Sequence, residues 1–172
     1  YNVVLAYKPT TDITAYAKIS TGYVAGGLLS GIPYDPETLT SYEAGVKSQL
    51  FDNRLRANLA VFYSDYKDLQ IQNFINGAQR FENAGKAALT GFELEVMALP
   101  VRGLTLEANV GYTHTDYKEF FTTDPRTGLI GDVADIAKST YKSDWTLRLG
   151  GQYEFERMGN GMYPYLSLIH IS

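Results

Sequence analysis

The stretch Leu55-Arg56-Ala57-Asn58-Leu59-Ala60-Val61-Phe62-Tyr63 decides the fold class, because apolar and polar side chains alternate along it. Leu59 and Val61 fall on one set of alternate positions, and Arg56 and Asn58 fall on the other. Successive side chains of a β-strand point to opposite faces, so this period of two predicts a strand with one apolar and one polar face. The same alternation recurs at 42–50, 92–98, 104–112 and 145–155. The sequence therefore predicts an all-β protein.

Two kinds of break separate these stretches. Short turn signals rich in Pro, Gly, Asn and Asp lie at 8–12, 51–54, 99–103 and 157–161. Long polar loops are expected at about 24–38, 68–78 and 118–140. Short and long connections in alternation predict a meander of antiparallel hairpins. About eight strands are predicted, at 2–8, 13–23, 39–51, 55–67, 79–98, 104–117, 141–156 and from Tyr163 onward.

The composition excludes several classes of protein. The 172 residues include no cysteine, which excludes a disulfide scaffold and a thiolate zinc site. The formal net charge is -4, which argues against nucleic acid as a partner. No run approaches the ~18 consecutive apolar residues of a transmembrane helix. The 14 Tyr and 8 Phe are a heavy aromatic content that a soluble acidic globule does not explain.

Long strands joined by alternating short and long connections are typical of an outer-membrane β-barrel, which carries aromatic girdles at both interfaces. The sequence predicts such girdles from aromatic residues near the strand ends: Tyr63, Tyr66, Tyr112, Tyr117, Tyr153 and Phe155. The charged face is then expected to line a polar lumen, with Glu43, Lys47, Arg56, Glu93, Glu95, Glu107 and Arg148. A soluble barrel or sandwich with its apolar face inward fits the same alternation, because alternation defines two faces without saying which is inside.

Four segments resemble the C-terminal β-barrel of TonB-dependent outer-membrane receptors. Tyr16-Ala17-Lys18-Ile19-Ser20-Thr21-Gly22-Tyr23 resembles a family strand of pattern Y-x-x-x-S-x-G-Y. Glu37-Thr38-Leu39-Thr40-Ser41-Tyr42-Glu43-Ala44-Gly45-Val46-Lys47 resembles the family signature E-x-x-x-S-Y-E-x-G-x-K. Asn83-Ala84-Gly85-Lys86-Ala87, with Gly91-Phe92-Glu93-Leu94-Glu95 after it, is similar to a third family strand. Val110-Gly111-Tyr112-Thr113-His114-Thr115-Asp116-Tyr117 is similar to the next one.

The resemblance implies an antiparallel transmembrane β-barrel, of which residues 1–172 form an open, curved part with short periplasmic turns and long extracellular loops. The plug domain and the terminal strands are expected outside this chain, and residues from about 167 to 172 stand as a candidate non-native extension. The implied function is import of a scarce nutrient across the Gram-negative outer membrane. The nutrient is expected to be a ferric siderophore, with cobalamin, haem or a glycan as alternatives.

The partners implied are outer-membrane lipid, the receptor's own plug, TonB and a small-molecule nutrient complex. Two other function classes stay open from the residues alone. One is a passive porin or a small closed outer-membrane barrel, since eight strands can close by themselves. The other is a soluble β-barrel that binds a ligand. Upstream coding sequence would separate the first class, and solubility without detergent would separate the second.

Catalytic, metal and cofactor sites are not predicted. Glu93 and Glu95 share a strand face about 7 Å apart, which is interpreted as a solvated lumen surface rather than an acid–base pair. His114 and Asp116 lack the further ligands that a metal site needs. Ligand contacts are expected on the long loops, because loops carry function more often than core strands do. The candidates are Tyr34, Phe74, Arg80, Phe120, Phe121 and Arg126, with Arg80 and Arg126 expected to attract an anionic iron complex.

Overall fold

The computed structural model describes residues 1–29, 31–75, 78–83, 85–124, 126–137, 143–156 and 164–171, with only the backbone of 73–75 and 78–82. These residues form β-strands and turns. The strands are β1 Asn2–Tyr7, β2 Ile13–Val24, β3 Gly27–Leu29, β4 Ile32–Tyr34, β5 Glu37–Leu50, β6 Leu55–Lys67, β7 Gln70–Ile75, β8 Ala78–Asn83, β9 Gly85–Ala98, β10 Leu104–Thr123, β11 Ile130–Asp132, β12 Trp145–Glu154 and β13 Tyr165–Ile171. Within the described ranges, no helix is long and apolar enough to cross a membrane.

The long strands form one antiparallel sheet in the order β1-β2-β5-β6-β9-β10-β12-β13, and β11 pairs with the far end of β10. Two small hairpins, β3–β4 and β7–β8, stand outside that sheet. Among the described residues the sheet is open, because β1 and β13 do not pair with each other. The meander predicted from the sequence is confirmed. Every residue of β13 is exposed, and whether 167–172 are foreign to the protein stays a prediction.

The sheet has two different ends. The short connections at 8–12, 51–54 and 99–103 lie at one end, which we call the short-turn end. In the second of them, Phe51, Asp52 and Asn53 have φ of 56°, 55° and 65°, a left-handed conformation that Asp and Asn tolerate better than most residues. The long connections lie at the opposite, long-loop end. The turn predicted at 157–161 lies outside the described residues.

The long connections are more ordered than the sequence suggested. The expected polar loop at 24–38 contains the β3–β4 hairpin, and the one at 68–78 contains β7 and the first residue of β8. Strand β10 runs on to Thr123 instead of ending at 117. Gly31 reverses the chain between β3 and β4 with φ of 79°, and the aromatic and β-branched run 120–123 favours extended backbone. The predicted strand 79–98 is divided into β8 and β9 at Ala84, which lies outside the described residues. Polarity alone had marked these segments as loops, whereas local strand propensity decides their structure.

The register places alternate residues of every strand on common faces. Val46, Leu59, Leu94 and Val110 lie side by side and define the apolar face. Lys47, Asn58, Glu95 and Asn109 lie side by side and define the polar face. The structure thus carries the alternation across the whole sheet.

Strands β2, β5 and β6 are more crowded on their polar face than on their apolar face. In β6, Leu59 and Val61 on the apolar face are 45% and 49% exposed, while Ala60 and Phe62 on the polar face are half-buried. The same difference holds in β2 and β5. It reverses in β9, where Glu93 stands between the small residues Ala60 and Gly111. Crowding on β2, β5 and β6 is the pattern of a sheet that is concave on its polar face.

The wall of long strands has no core of its own. Among the described residues, the buried apolar side chains are Ala87, Ala88 and Val133, and all of them lie at the long-loop end. The apolar face of the strands remains exposed, with Tyr42 at 47% and Val46 at 42%. A face of this kind needs an apolar environment or another layer to cover it.

Candidate functional site

The charged residues predicted to share one face do so. Lys47 and Arg148 lie in a row with Asn58, Glu95 and Asn109. The remaining charged residues lie on the same face: Glu43 opposite Phe62, Glu93 opposite Ala60, and Arg56 and Glu107 both opposite Met97. The polar face is therefore a continuous surface of acids, bases and amides across β5, β6, β9, β10 and β12.

The carboxylate of Glu43 is held by two donors from the neighbouring strand β2. Tyr16 donates its hydroxyl to Oε1 at 2.6 Å, and Lys18 donates from Nζ to Oε2 at 2.7 Å. The Lys47 ammonium lies 5.6 Å from the centre of the Tyr16 ring, within reach of a cation–π interaction. Glu43 is therefore bonded to the neighbouring strand and not to Lys47, which lies four residues further along its own strand. Glu43 is thus fixed on the polar face before any partner arrives.

Two glycines of the family-like motifs lie beneath aromatic rings. Tyr16 pairs with Gly45, where an added Cβ would come within 2.7 Å of both the Tyr16 ring and the Leu59 carbonyl. Phe62 pairs with Gly91, where a Cβ would lie 2.1 Å from the Tyr112 carbonyl oxygen and 2.7 Å from Phe62 Cζ. The missing Cβ of these glycines leaves room for a ring to approach the sheet on its polar face. The side chains that approach them belong to the wall itself.

The apolar face carries an aromatic belt toward the long-loop end, formed by Tyr42, Tyr63, Phe92, Tyr112 and Trp145. Its ring centroids lie 4.8 Å apart for Tyr112 and Trp145 and 6.4 Å apart for Tyr42 and Tyr63. A second aromatic pair, Tyr153 and Phe155, has its centroids 4.8 Å apart near the short-turn end. The two groups therefore mark two levels on the same face.

The spacing of the two levels fits a bilayer. Trp145 and Tyr153 are separated by about 26 Å along β12 at ~3.3 Å per residue, or about 20 Å along a barrel axis at a tilt of ~40°. The apolar band of outer-membrane barrels is about 25 Å tall. Beyond the belt, Asp65, Lys67 and Lys86 continue the same face with charged side chains. The apolar face thus ends where a membrane interface would lie.

Two of the predicted girdle residues lie on the other face. Tyr66 and Tyr117 both pair with Ala87, and the register puts this row on the polar side. Their positions near strand ends were predicted correctly, but nearness to a strand end does not determine on which face of the sheet a side chain lies. The prediction that Tyr66 and Tyr117 belong to the girdle is wrong, whereas Tyr63, Tyr112, Tyr153 and Phe155 do lie on the apolar face.

A β-bulge extends this inner aromatic row. The register between β9 and β10 shifts between Tyr117 and Glu119, which brings Phe120 to the same side as Tyr117, with ring centroids 5.1 Å apart. Gly85 permits the close approach, since a Cβ there would lie 2.0 Å from the Glu119 carbonyl oxygen. Tyr66, Tyr117 and Phe120 form what we call the inner rim.

The remaining loop candidates have different surroundings. Phe121 is 49% exposed and pairs with Asp132 of β11. Tyr34 packs over Gly27, whose Cβ would lie 2.8 Å from the Tyr34 hydroxyl. Phe74 and Arg80 belong to the β7–β8 hairpin, and their side chains lie outside the described part of the chain. Among the loop candidates whose side chains are described, only Phe120 therefore lies in the inner rim.

Arg126 is paired within its own loop. Its Nη2 lies 2.9 Å from Asp124 Oδ2, and its Nη1 lies 3.1 Å from Asp135 Oδ2. Hydrogen bonding to Asp124 and then to Asp135 raises the pKa of Arg126, and the same contact with Arg126 lowers the pKa of Asp124. Neither partner was predicted from the sequence, although the spacing Asp124-x-Arg126 within a turn signal could have indicated the nearer one. Arg126 thus orders the loop with a charge that is already matched.

The residues once considered for chemistry are dispersed. Glu95 accepts a hydrogen bond from Asn58 at 3.2 Å, and Asp116 accepts one from Lys118. His114 Nδ1 lies 3.7 Å from Asp144. Across the described residues, no three of His, Cys, Asp and Glu are grouped closely enough to hold a metal ion. These contacts are those of a polar surface.

A meander of long antiparallel strands, apolar on one face between two aromatic levels and polar on the other, is the wall of a transmembrane β-barrel of the outer-membrane type. The model of the family described as TonB dependent receptor-like, beta-barrel matches residues 1–168. The chain belongs to this family of TonB-dependent receptors, and its all-β, antiparallel barrel fold is as predicted.

Named relatives are receptors. The pesticin receptor of Yersinia enterocolitica is 36% identical over 96 residues, which are 52% of this chain and 14% of that protein. The ferric-pyoverdine M114 receptor of Pseudomonas sp. strain M114 is 29% identical over 146 residues, which are 83% of this chain and 17% of that protein. The chain therefore spans about a sixth or less of their length.

A solved structure has the same fold. The ferric yersiniabactin uptake receptor of Yersinia pestis superposes with a TM-score of 0.69 at 20% identity, over 96% of this chain and 24% of that one. The superposition supports the strand order and the shape of the wall.

Proposed function

We propose that this chain is part of the wall of an outer-membrane receptor that imports a ferric siderophore into a Gram-negative cell, energised through TonB. The observation that carries the membrane part is the pair of aromatic levels on the apolar face, Trp145 and Tyr153 among them, at a spacing that suits a bilayer. Membership in the TonB-dependent receptor family carries the transport part. Receptors for ferric pyoverdine and ferric yersiniabactin among the similar proteins favour a siderophore as cargo.

The polar face is proposed to contact the receptor's plug domain, which belongs to the complete protein. The residues proposed for this contact are Glu43, Lys47, Arg56, Glu93, Glu95, Glu107 and Arg148. Glu43 is already fixed by Tyr16 and Lys18, so little side-chain entropy remains to be lost on contact. Acids and bases are interspersed on this face, which favours a partner whose surface also carries both signs. In this proposal the wall holds the plug and performs no chemistry.

The long-loop end is proposed to contact the ligand. Tyr34, Phe74, Arg80, Phe120, Phe121 and Arg126 were predicted for this role, and the inner rim adds Tyr66 and Tyr117. Phe120 has the strongest support, because its ring lies beside Tyr117 on the lumen side of the wall. Arg126 has less support as a direct anion contact, because Asp124 and Asp135 already match its charge.

Energised uptake distinguishes this function from a passive porin. The complete receptor would be expressed in an iron-limited strain that lacks its own siderophore receptors, and uptake of ferric pyoverdine and ferric yersiniabactin labelled with radioactive iron would be followed. We expect saturable uptake of at least one complex, lost both on deletion of TonB and on collapse of the proton gradient. A passive porin would give non-saturable uptake that continues without TonB.

A matched control separates transport from expression. Receptor in outer membranes would be quantified for each strain, and binding of the same complexes at 4 °C would be measured with and without TonB. Binding that persists while uptake stops places the defect in energy coupling. Absence of both binding and uptake for every siderophore class tried would contradict a siderophore receptor.

A further inference from the structure

One amide side chain joins three separate segments at the long-loop end. Asn83 Oδ1 accepts a hydrogen bond from the Asp35 N–H at 2.7 Å, and Asn83 Nδ2 donates to the Asp35 carbonyl at 2.8 Å. Asn83 Nδ2 also donates to the Asp68 carbonyl at 2.8 Å. The first two bonds reproduce a β-ladder pair, with a side chain in place of a strand. Asn83 therefore connects the end of β8 with the β4–β5 and β6–β7 connections.

A second amide side chain strengthens the same junction. Gln70 Nε2 donates to the carbonyls of Ala25 and Asp35 at 3.2 and 3.0 Å, and the Gln70 N–H donates to Glu37 Oε2 at 2.9 Å. The Asp35 carbonyl thus accepts from both amides. Connections 24–37 and 68–85 are joined by these side chain–backbone bonds, although they are distant in sequence.

The third long connection is fastened separately. Arg126 binds Asp124 and Asp135 within it, and Asp132 Oδ1 accepts hydrogen bonds from the N–H groups of Phe120 and Ala134, both at 3.0 Å. These bonds tie 124–135 to the end of β10. The described long-loop end therefore consists of two units, one centred on Asn83 and one on Arg126.

We propose that Asn83 is a positioning residue for ligand recognition, which holds the β3–β4 and β7–β8 hairpins in one fixed relation. The proposal rests on the proposed receptor function. Tyr34 and the predicted contacts Phe74 and Arg80 belong to these two hairpins. Asn83→Ala removes all three bonds, and Asn83→Asp retains only the acceptor while placing an anion beside two carbonyls. Both variants remove donor bonds of Asn83 that join the two hairpins, while the Gln70 bonds and the wall stay in place.

Hydrogen exchange tests the fastening without any ligand. In the complete receptor, we expect Asn83→Ala to speed amide exchange about tenfold or more in both 24–37 and 68–85, with 118–137 unchanged. Arg126→Ala is the matched control and should speed amide exchange in 118–137 while leaving 24–37 and 68–85 unchanged. Faster exchange confined to the residues next to position 83, or spread equally over all three connections, would overturn the proposal.

Binding tests the role in recognition. For whichever of ferric pyoverdine and ferric yersiniabactin the wild-type receptor takes up, Asn83→Ala and Asn83→Asp should raise Kd about tenfold and leave the maximal uptake rate at saturation unchanged. A folding defect would lower the maximal rate and the amount of receptor in the membrane. An unchanged Kd with loosened hairpins would overturn the positioning role. If the wild type bound and took up none of the siderophore classes tried, the receptor function would fail on its own, and hydrogen exchange would still decide whether Asn83 fastens the hairpins.

Discussion

The wall and the long-loop end of this molecule are ordered by different means. The wall strands β5, β6 and β9 pair along almost their whole length, and few side-chain bonds link them. The long-loop end has short hairpins, and polar side chains such as Asn83, Gln70 and Arg126 fasten them. The buried apolar residues found among those described also lie at this end. Removing a single polar side chain is therefore expected to disturb the long-loop end more than the wall. In the wall, the effect of a substitution depends mainly on which face of the sheet the side chain occupies.

This difference reflects what surrounds each part. A lipid-facing wall satisfies its backbone through the ladder and finds an apolar solvent on one side, so it needs no protein core there. Loops in water lack a continuous ladder, so their backbone groups bond to water or to individual side chains such as Asn83 and Gln70. Substitutions can therefore test the comparison in two ways, by changing the facing of a charge in the wall and by removing a partner at the long-loop end.

The largest effect is expected from a charge on the apolar face. Leu59→Arg places a guanidinium between the two aromatic levels and should destabilise the complete receptor by about 2–4 kcal/mol. Asn58→Arg is the matched control, since Asn58 lies next in sequence but on the polar face beside Glu95. The measurements are unfolding in lipid vesicles and the fraction of folded receptor in outer membranes. Equal damage from both substitutions would contradict a lipid-facing apolar side.

A smaller loss of stability is expected from adding a Cβ at Gly91, which lies against the Tyr112 backbone and the Phe62 ring. Gly91→Ala puts a Cβ 2.1 Å from the Tyr112 carbonyl oxygen, and overpacking of this kind costs about 1–3 kcal/mol. Gly22→Ala is the control, because nothing lies within 4 Å of its added Cβ. Thermal unfolding of both variants in the same detergent gives the comparison. If Gly22→Ala were the more damaging, close packing on the polar face would not explain the glycine.

The inner rim predicts a difference between two neighbouring rings. Phe120→Ala should weaken siderophore binding about tenfold, equivalent to about 1.4 kcal/mol, because Phe120 lies beside Tyr117 on the polar face, which is proposed to line the lumen. Phe121→Ala should change Kd less than about twofold, since it loses a ring from the opposite side of β10. Equilibrium binding to the receptor in detergent measures both. A larger loss for Phe121→Ala would place the ligand outside the inner rim.

The smallest effect is expected from lowering the pH, which protonates Asp124 and loosens its loop. Contact with Arg126 lowers the pKa of Asp124, so the loop order that Asp124 contributes is present above its ordinary value of about 4 and is lost as the pH falls through the lowered pKa. A nitroxide on Leu129→Cys should gain mobility only below about pH 4. In the Arg126→Ala background the change should move to higher pH. A midpoint that is unaffected by Arg126→Ala would exclude this pair as its cause.

The sequence predicted much of the wall because strand alternation is a local property. Each side chain of 55–63 reports its face through its neighbours alone, and the Pro, Gly, Asn and Asp turns report the short-turn end. The long-loop end was predicted less well. Asn83 and Asp35 are 48 residues apart, and no local sequence pattern predicts that the Asn83 side chain binds the Asp35 backbone. The partners of Arg126 are only two and nine residues away, so Asp124 could have been predicted from its turn, whereas the contact with Asp135 depends on how the loop folds back.

The sequence by itself determined that the strands have an apolar and a polar face, in which order they follow, and which family they resemble. Only the tertiary structure decided the register, and the register decides facing because successive side chains alternate. The register places Tyr66 and Tyr117 in the inner rim and not in the predicted girdle. One bulge after Tyr117 places Phe120 on the same face, beside the Tyr117 ring. The tertiary structure also decided which distant loop segments share hydrogen bonds. The alternation within a strand can be recognised from neighbouring residues in the sequence. Pairing between strands and between loops depends on contacts that form only when the chain is folded.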